Sequence, residues 1–105
     1  MPDPIQVRVD EDLKDIVDDY LVNIKENIII LAEKLKTSSF EDISAIGHQF
    51  KGSGASYGFD SISKIGAQIE QAAQSKDADS IKSDIQELSE ELERTKIIFV
   101  PEEEL

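Results

Sequence analysis

Apolar residues recur every three or four positions along most of this chain, and that spacing predicts α-helices. The first run predicts one long helix, or a short helix that leads into a longer one near Asp18 and Asp19, with Asp10 as the expected N-cap. Its apolar positions are Leu13, Ile16, Val17, Tyr20, Ile24, Ile28, Leu31 and Leu35. Such a stripe could form a partner surface, but we assign it to the core because these stripes are usually buried.

Three further runs predict three further helices. Their apolar positions are Phe40, Ile43, Ile46, Phe50, Gly54 and Tyr57 in the second helix, Ile62, Ile65, Ile69 and Ala72 in the third, and Ile81, Ile85, Leu88 and Leu92 in the fourth. The side chains that we place in the core are Ile43, Phe50, Ile65, Ile69, Leu88 and Leu92.

Local signals mark the ends of these helices. Ser39 and Asp42 approximate a capping box at the start of the second helix. Gly58 is suited to end it and is predicted to be a structural glycine. The third helix is expected to open near Phe59, and Asp77 can cap the fourth.

The short loops favour antiparallel neighbours, so the predicted fold is all-α, an up-down antiparallel four-helix bundle. Residues 1 to 9 alternate apolar and polar side chains, which is typical of a short strand. Because no second convincing strand is visible, we interpret them as a short extended or helical lead-in packed on the bundle. Near the other end, Pro101 stops any helix, and the acidic residues after it are expected to fray.

The charge of the chain limits the classes of partner that it is expected to bind. Its 105 residues, predicted to form one domain over 1–105, carry 23 acidic and 11 basic side chains, for a net charge of −12. That balance argues against nucleic acid and anionic membranes, which attract basic proteins. No cysteine is present, so thiol chemistry is excluded. We see no secretory signal or membrane span and expect a cytoplasmic location.

His48 is the only histidine, and it lies within the second predicted helix. At ~100° per residue its side chain points away from the core side marked by Ile43, and therefore towards solvent. The same face carries Glu41, Ser44, Ala45, Gly52 and Ala55, most of which are small. Lys51, three positions on, brings a cation beside the imidazole. Gly47, Gly52 and Gly54 each weaken the helix by roughly 1 kcal/mol relative to alanine, which suggests a need for bare backbone.

Most enzyme classes are excluded by these residues. A single histidine cannot build a multi-histidine metal site, and no metal site is predicted. Gly47 to Ser53 has the glycine spacing of a phosphate loop but lacks its Lys-Ser/Thr ending and lies in a helix. A Ser-His-acid triad would need a buried carboxylate beside His48, and the sequence indicates none.

The stretch around His48 resembles the histidine-phosphotransfer (HPt) domain family over about residues 10 to 95. The residues that carry the resemblance are His48, Lys51-Gly52, Gly58, and then Ile62, Ile65, Ile69 and Glu70. Their spacing matches the family pattern without a gap. Two positions depart from it: Gly47 replaces a more usual alanine, valine or cysteine and is expected to loosen the helix, and Phe50 replaces an aliphatic residue.

The resemblance implies a phosphotransfer intermediate rather than an autonomous kinase. His48 would be the phosphorylated nucleophile, and Lys51 would neutralise the phosphoryl charge. The expected partners are response-regulator receiver domains and a hybrid histidine kinase. The chain would need no cofactor of its own, since Mg²⁺ would lie on the receiver. The predicted partner-binding residues are Glu41, Ser44, Ala45, Gln49, Gly52 and Ala55.

Two alternatives remain open on the sequence. The chain could be a non-catalytic helical interaction module with an HPt-like fold, although it retains His48, Lys51 and Gly52. It could also be a dimerising fragment of a histidine kinase, although no ATP-binding motif is visible. Labelling by ATP alone would favour the kinase fragment, and labelling only from a phosphorylated receiver would favour the phosphotransfer role.

Overall fold

A computed structural model describes residues 4 to 105 of the chain. Its elements are β1 (Ile5–Asp10), α1 (Lys14–Lys36), α2 (Phe40–Tyr57), α3 (Asp60–Gln74), α4 (Ala78–Arg94) and β2 (Thr95–Val100). A 3₁₀ turn, Glu11–Leu13, joins β1 to α1, and another, Glu102–Glu104, follows β2.

The four helices form the predicted all-α bundle, in which each helix packs on its neighbours in sequence and α1 also packs on α4. Short turns connect the helices, as the antiparallel arrangement requires. The largest fully buried side chains come from all four helices and meet in one core. They are Val17, Ile24, Leu31, Ile43, Phe50, Ile65, Ile69, Ile81 and Leu88.

Most of the predicted helix ends are confirmed. The Asp77 carboxylate caps α4 by accepting a hydrogen bond from the Ser80 amide at 3.1 Å. The Asp10 carboxylate accepts one from the Asp12 amide at 2.9 Å, but it caps the 3₁₀ turn Glu11–Leu13 and not α1, whose N-cap is Leu13. Gly58 ends α2 with φ of 81°, a left-handed conformation that suits glycine. The capping box at Ser39 was wrong, because the Ser39 hydroxyl bonds to the Thr37 hydroxyl at 2.7 Å instead of to the helix.

The first helix is continuous from Lys14, so no break occurs near Asp18 and Asp19. Two of its predicted core positions were wrong: Leu13 is 43% exposed and Ile16 is 49% exposed. Both precede the first buried position of α1, Val17, at the end of the bundle.

Two predictions on the other helices also need correction. Leu92 is only partly buried, because it lines a shallow groove with Lys25 and Ile28 near the end of α4. Tyr57 is exposed rather than buried on the apolar face of α2, yet its ring stacks on that of Tyr20 with 4.5 Å between centroids.

The lead-in is extended, but it is a strand with a partner, which the sequence did not reveal. β1 pairs in parallel with β2, in a register that sets Val7 beside Ile97 and Val9 beside Phe99. These four side chains lie on one face of the small sheet and pack against the core. The acidic end forms the 3₁₀ turn Glu102–Glu104 and is tied to β1, because Arg8 donates to the Glu104 carbonyl at 2.9 Å. Residues 1 to 3 of the lead-in lie outside the described residues.

Candidate functional site

The His48 imidazole is exposed on the surface of α2 and is held there by a carboxylate from α3. Its side chain is 74% exposed, as the helical spacing predicts. Its Nδ1 lies 2.8 Å from Oε2 of Glu70, whose side chain is only 20% exposed. The nucleophile candidate therefore reaches solvent while one ring nitrogen is fixed from within the bundle.

This hydrogen bond decides which ring nitrogen is available for chemistry. An ionised carboxylate can only accept, so a hydrogen bond from the ring to an ionised Glu70 requires the hydrogen on Nδ1. In the neutral imidazole the other nitrogen, Nε2, then has a free lone pair. The arrangement can thus present Nε2 as a nucleophile and keep the ring oriented during attack.

The contact between Glu70 and His48 lies beside the place where the α2 and α3 backbones nearly touch at two glycines. A Cβ built on Gly47 would lie 2.7 Å from the Glu70 amide nitrogen and 2.8 Å from the Gly66 carbonyl oxygen. A Cβ on Gly66 would lie 2.6 Å from the Lys51 amide nitrogen. Gly47 therefore serves close packing, which confirms the need for bare backbone that the sequence suggested at this position.

The same close approach continues towards the end of α2. Gly54, two turns beyond Gly47, leaves no room for a Cβ, which would lie 2.5 Å from the Ser63 amide nitrogen. Between the two glycines, the Ser63 hydroxyl donates to the Lys51 carbonyl at 2.7 Å. The crossing is thus fixed on both sides of the Lys51 turn, which is the turn that follows His48.

A second contact fixes α2 on its α1 side. The hydroxyls of Tyr20 and Ser53 share a hydrogen bond of 2.9 Å. Burial of the Tyr20 phenol raises its pKa above the ordinary value near 10, which outweighs the opposing effect of the Ser53 bond. Tyr20 therefore remains protonated at neutral pH and anchors the helix that carries His48.

The predicted partner-binding residues form a low surface around His48. Glu41, Ala45, Gln49, Gly52 and Ala55 are exposed, and Ser44 is partly exposed. A Cβ on Gly52 would have no atom within 4 Å, so this glycine faces open space, unlike Gly47. Lys51 is exposed and lies three positions after His48.

Glu70 is the site residue that sequence reasoning missed. The family pattern ended at Glu70, so the residue had been singled out, but its contact with His48 had not. The sequence had indicated no buried carboxylate beside His48, and the structure places a partly buried one there, the 20% exposed Glu70. The available signal was a glycine in each helix, Gly47 and Gly66, since paired glycines permit helices to approach closely.

The described residues contain no group of three or more His, Cys, Asp or Glu side chains suited to hold a metal ion. Within residues 4 to 105, every helix is too short or too polar to cross a bilayer.

Comparison with known proteins gives one match. The model of a family described as the Hpt domain matches residues 11–96, a range that contains all four helices together with His48, Lys51 and Glu70. No curated protein and no solved structure matches the chain.

Proposed function

Because the chain belongs to the Hpt domain family, whose members serve as phosphotransfer domains in two-component signalling, we propose that it relays a phosphoryl group between receiver-domain aspartates through His48. One observation carries the proposal: an imidazole that is exposed to a partner is also held at Nδ1 by the mostly buried Glu70. An incidental surface histidine would need no such partner.

The transfer proceeds in two displacements at phosphorus. The Nε2 lone pair of His48 attacks the phosphorus of a receiver aspartyl phosphate, the N–P bond forms, and the aspartate carboxylate leaves with the electron pair of the broken P–O bond. The phosphorylated ring carries a positive charge, and its Nδ1 hydrogen stays on the bond to Glu70, whose negative charge stabilises it. In the second displacement, an aspartate of another receiver attacks phosphorus and Nε2 leaves.

Lys51 and Gly52 serve different parts of this reaction. The Lys51 ammonium supplies a positive charge one helical turn from His48, where it can stabilise the phosphoryl oxygens. Gly52 leaves the surface bare, so the receiver backbone can approach until donor and acceptor atoms are in line. Phosphoryl transfer depends mainly on such positioning and charge stabilisation.

The proposed partners are response-regulator receiver domains and a hybrid histidine kinase. The receivers contribute the aspartate and the Mg²⁺, which neutralises phosphoryl charge when bound, so the chain itself needs no cofactor. The proposal also implies a cytoplasmic location, shared with those receivers.

The test is transfer of label from purified receiver domains that have been phosphorylated with acetyl phosphate. We expect acid-labile label on the parent protein and none after His48→Gln, which removes the nucleophile but keeps receiver binding. Self-labelling by ATP alone would instead identify a kinase fragment. Receiver binding without label would identify a non-catalytic interaction module and contradict the proposal.

Two further variants separate charge from docking. Lys51→Ala should slow transfer without abolishing it, because other contacts to the transferred group come from the receiver. Gly52→Gln should weaken receiver affinity, since it puts a side chain on the surface that a partner must approach. If Gly52→Gln folds and transfers at the parent rate, the receiver does not dock on this face.

A further inference from the structure

Of the places where the α2 and α3 backbones come close together, Gly47 is the nearest to His48. It directly precedes His48, and the atoms facing it are the amide nitrogen of Glu70 and the carbonyl oxygen of Gly66. Glu70 follows Gly66 by one helical turn, so a single contact controls the distance between the turn that carries His48 and the turn that carries Glu70.

From this geometry we propose that Gly47 and Gly66 are positioning residues, which hold Glu70 against Nδ1 and thereby select the imidazole tautomer with a free Nε2. The expected effect on phosphoryl transfer rests on the proposed function. The imidazole tautomer does not, because it is a property of the isolated protein.

The magnitude of the effect follows from the contact distances. An alanine Cβ at position 47 would lie 2.7 Å from the Glu70 nitrogen, whereas ordinary contacts begin at 3.4 Å. The α3 backbone would therefore have to retreat by about 0.7 Å, since it cannot rotate away as a flexible side chain can. With both side chains in their present conformations, a retreat of that size lengthens the 2.8 Å bond between Nδ1 and Glu70 to about 3.5 Å, beyond the ordinary range of roughly 2.7–3.2 Å.

Alanine, valine or cysteine is more usual at position 47 in the family pattern, whereas this chain combines glycines at positions 47 and 66. A Cβ on Gly66 would be as crowded as one on Gly47, because it would lie 2.7 Å from the Phe50 Cβ and 2.8 Å from the Gly47 carbonyl oxygen. Each glycine is therefore required by the closeness of the other helix, and the pair acts as a unit.

The test uses the fact that His48 is the only histidine, so the imidazole signals of ¹⁵N-labelled protein are unambiguous. A long-range ¹H–¹⁵N correlation recorded at about pH 8.5, above the ordinary histidine pKa near 6.5, reports which ring nitrogen carries the hydrogen. We expect hydrogen on Nδ1 in the parent. Neutral imidazole in water prefers hydrogen on Nε2, so the parent signature requires an acceptor at Nδ1.

Three variants are compared with the parent. Gly47→Ala should shift the hydrogen towards Nε2, and Glu70→Ala sets the signature of an imidazole without its acceptor. Gly52→Ala is the matched control, because it makes the same change in the same helix where a Cβ meets no atom within 4 Å, and it should keep the parent tautomer.

Several results would overturn the proposal. A folded Gly47→Ala with the parent tautomer would show that the crossing does not position Glu70. If Gly47→Ala does not fold, the proposal requires that Gly66→Ala shift the ring hydrogen towards Nε2. Failure of both to fold, beside a folded Gly52→Ala, would show that the glycines serve only the stability of the bundle.

A transfer assay then links the tautomer to the proposed function. Gly47→Ala should slow transfer by about 10- to 100-fold at unchanged receiver affinity, since Gly47 is buried and the defect is one of orientation. A parent that keeps hydrogen on Nδ1 but transfers nothing would contradict the proposed function and leave the positioning role intact.

Discussion

Gly54→Ala is the sharpest test of the close crossing between α2 and α3, because it lies away from His48 and reports on packing alone. The new Cβ would lie 2.5 Å from the Ser63 amide nitrogen and 3.0 Å from the Phe59 carbonyl oxygen. These two atoms are the donor and acceptor of one hydrogen bond, 3.1 Å long, in the first turn of α3. The methyl group would therefore contact backbone atoms at the start of α3, which cannot rotate away as a flexible side chain can.

The expected loss can be worked out from three contributions. Replacing glycine by alanine inside a helix stabilises it by about 1 kcal/mol. Overpacking costs about 1–3 kcal/mol, and a disrupted backbone hydrogen bond costs about 1 kcal/mol more. Gly54→Ala should thus lower the free energy of unfolding by about 1–3 kcal/mol. Gly52→Ala has only the favourable contribution, because its Cβ meets no atom within 4 Å, and should raise the free energy of unfolding by about 1 kcal/mol.

The assay is urea unfolding of both variants beside the parent, followed by circular dichroism. Equal m-values would show that only stability has changed, and the two variants should differ by about 2–4 kcal/mol. In thermal unfolding this corresponds to a Tm gap of about 10–20 °C for a domain of this size. If both variants gain stability equally, α3 does not approach Gly54 as closely as described, and the reasoning about Gly47 and Gly66 fails with it.

Two further predictions concern the core and a helix cap. Phe50→Ala should cost about 3–5 kcal/mol because Phe50 is buried at the centre of the bundle, whereas His48→Gln should change stability little; equal losses in chemical denaturation would contradict this assignment. Bonds from the Ser80 hydroxyl and amide lower the pKa of Asp77 below its ordinary 3.8, so its contribution to stability is present above that value and is lost as pH falls through the lower, folded pKa. Urea titrations from about pH 5 to pH 2 should show a shallower acid loss for Asp77→Asn, which retains a cap without the titration.

The helices were predictable because their signals are local. Apolar spacing of three to four residues marks the buried face, and residues such as Asp77 and Gly58 act within one turn of the end that they fix. The capping prediction at Ser39 failed for an equally local reason, because the Ser39 hydroxyl bonds to the hydroxyl of Thr37, two residues away. Local competition of this kind is not visible in the residue types alone.

The two-stranded sheet was not predictable in the same way. β1 and β2 lie at opposite ends of the chain, and each has only six residues. The alternation in β1 favoured a strand, but a strand needs a partner. The apolar residues before Pro101 gave no sequence signal that they form that partner strand. Their pairing depends on the bundle, which brings the start of α1 and the end of α4 together.

The candidate site was predictable to the extent that it depends on one helix. A helical wheel places His48 outside and Ile43 inside, and both positions are confirmed. The wheel cannot give the distance between two helices, and the contact between His48 and Glu70 depends on that distance. This is why a residue 22 positions away completes the site and escaped the prediction.

A phosphorelay histidine, as we propose His48 to be, has two requirements that oppose each other, and the glycines of α2 are suited to both. The imidazole must be exposed so that a receiver can reach Nε2, yet an exposed ring is free to rotate and to change tautomer. Here the neighbouring helix α3 passes close enough to bring the Glu70 carboxylate to Nδ1 without covering the ring. Gly47 allows that approach from within the bundle, whereas Gly52 keeps the outer surface open. Each glycine weakens α2 by about 1 kcal/mol, but what lies opposite differs: backbone at Gly47 and open space at Gly52. In our proposal the same residue type therefore has a positioning role at Gly47 and a docking role at Gly52, and the variants at the two positions should fail in different assays.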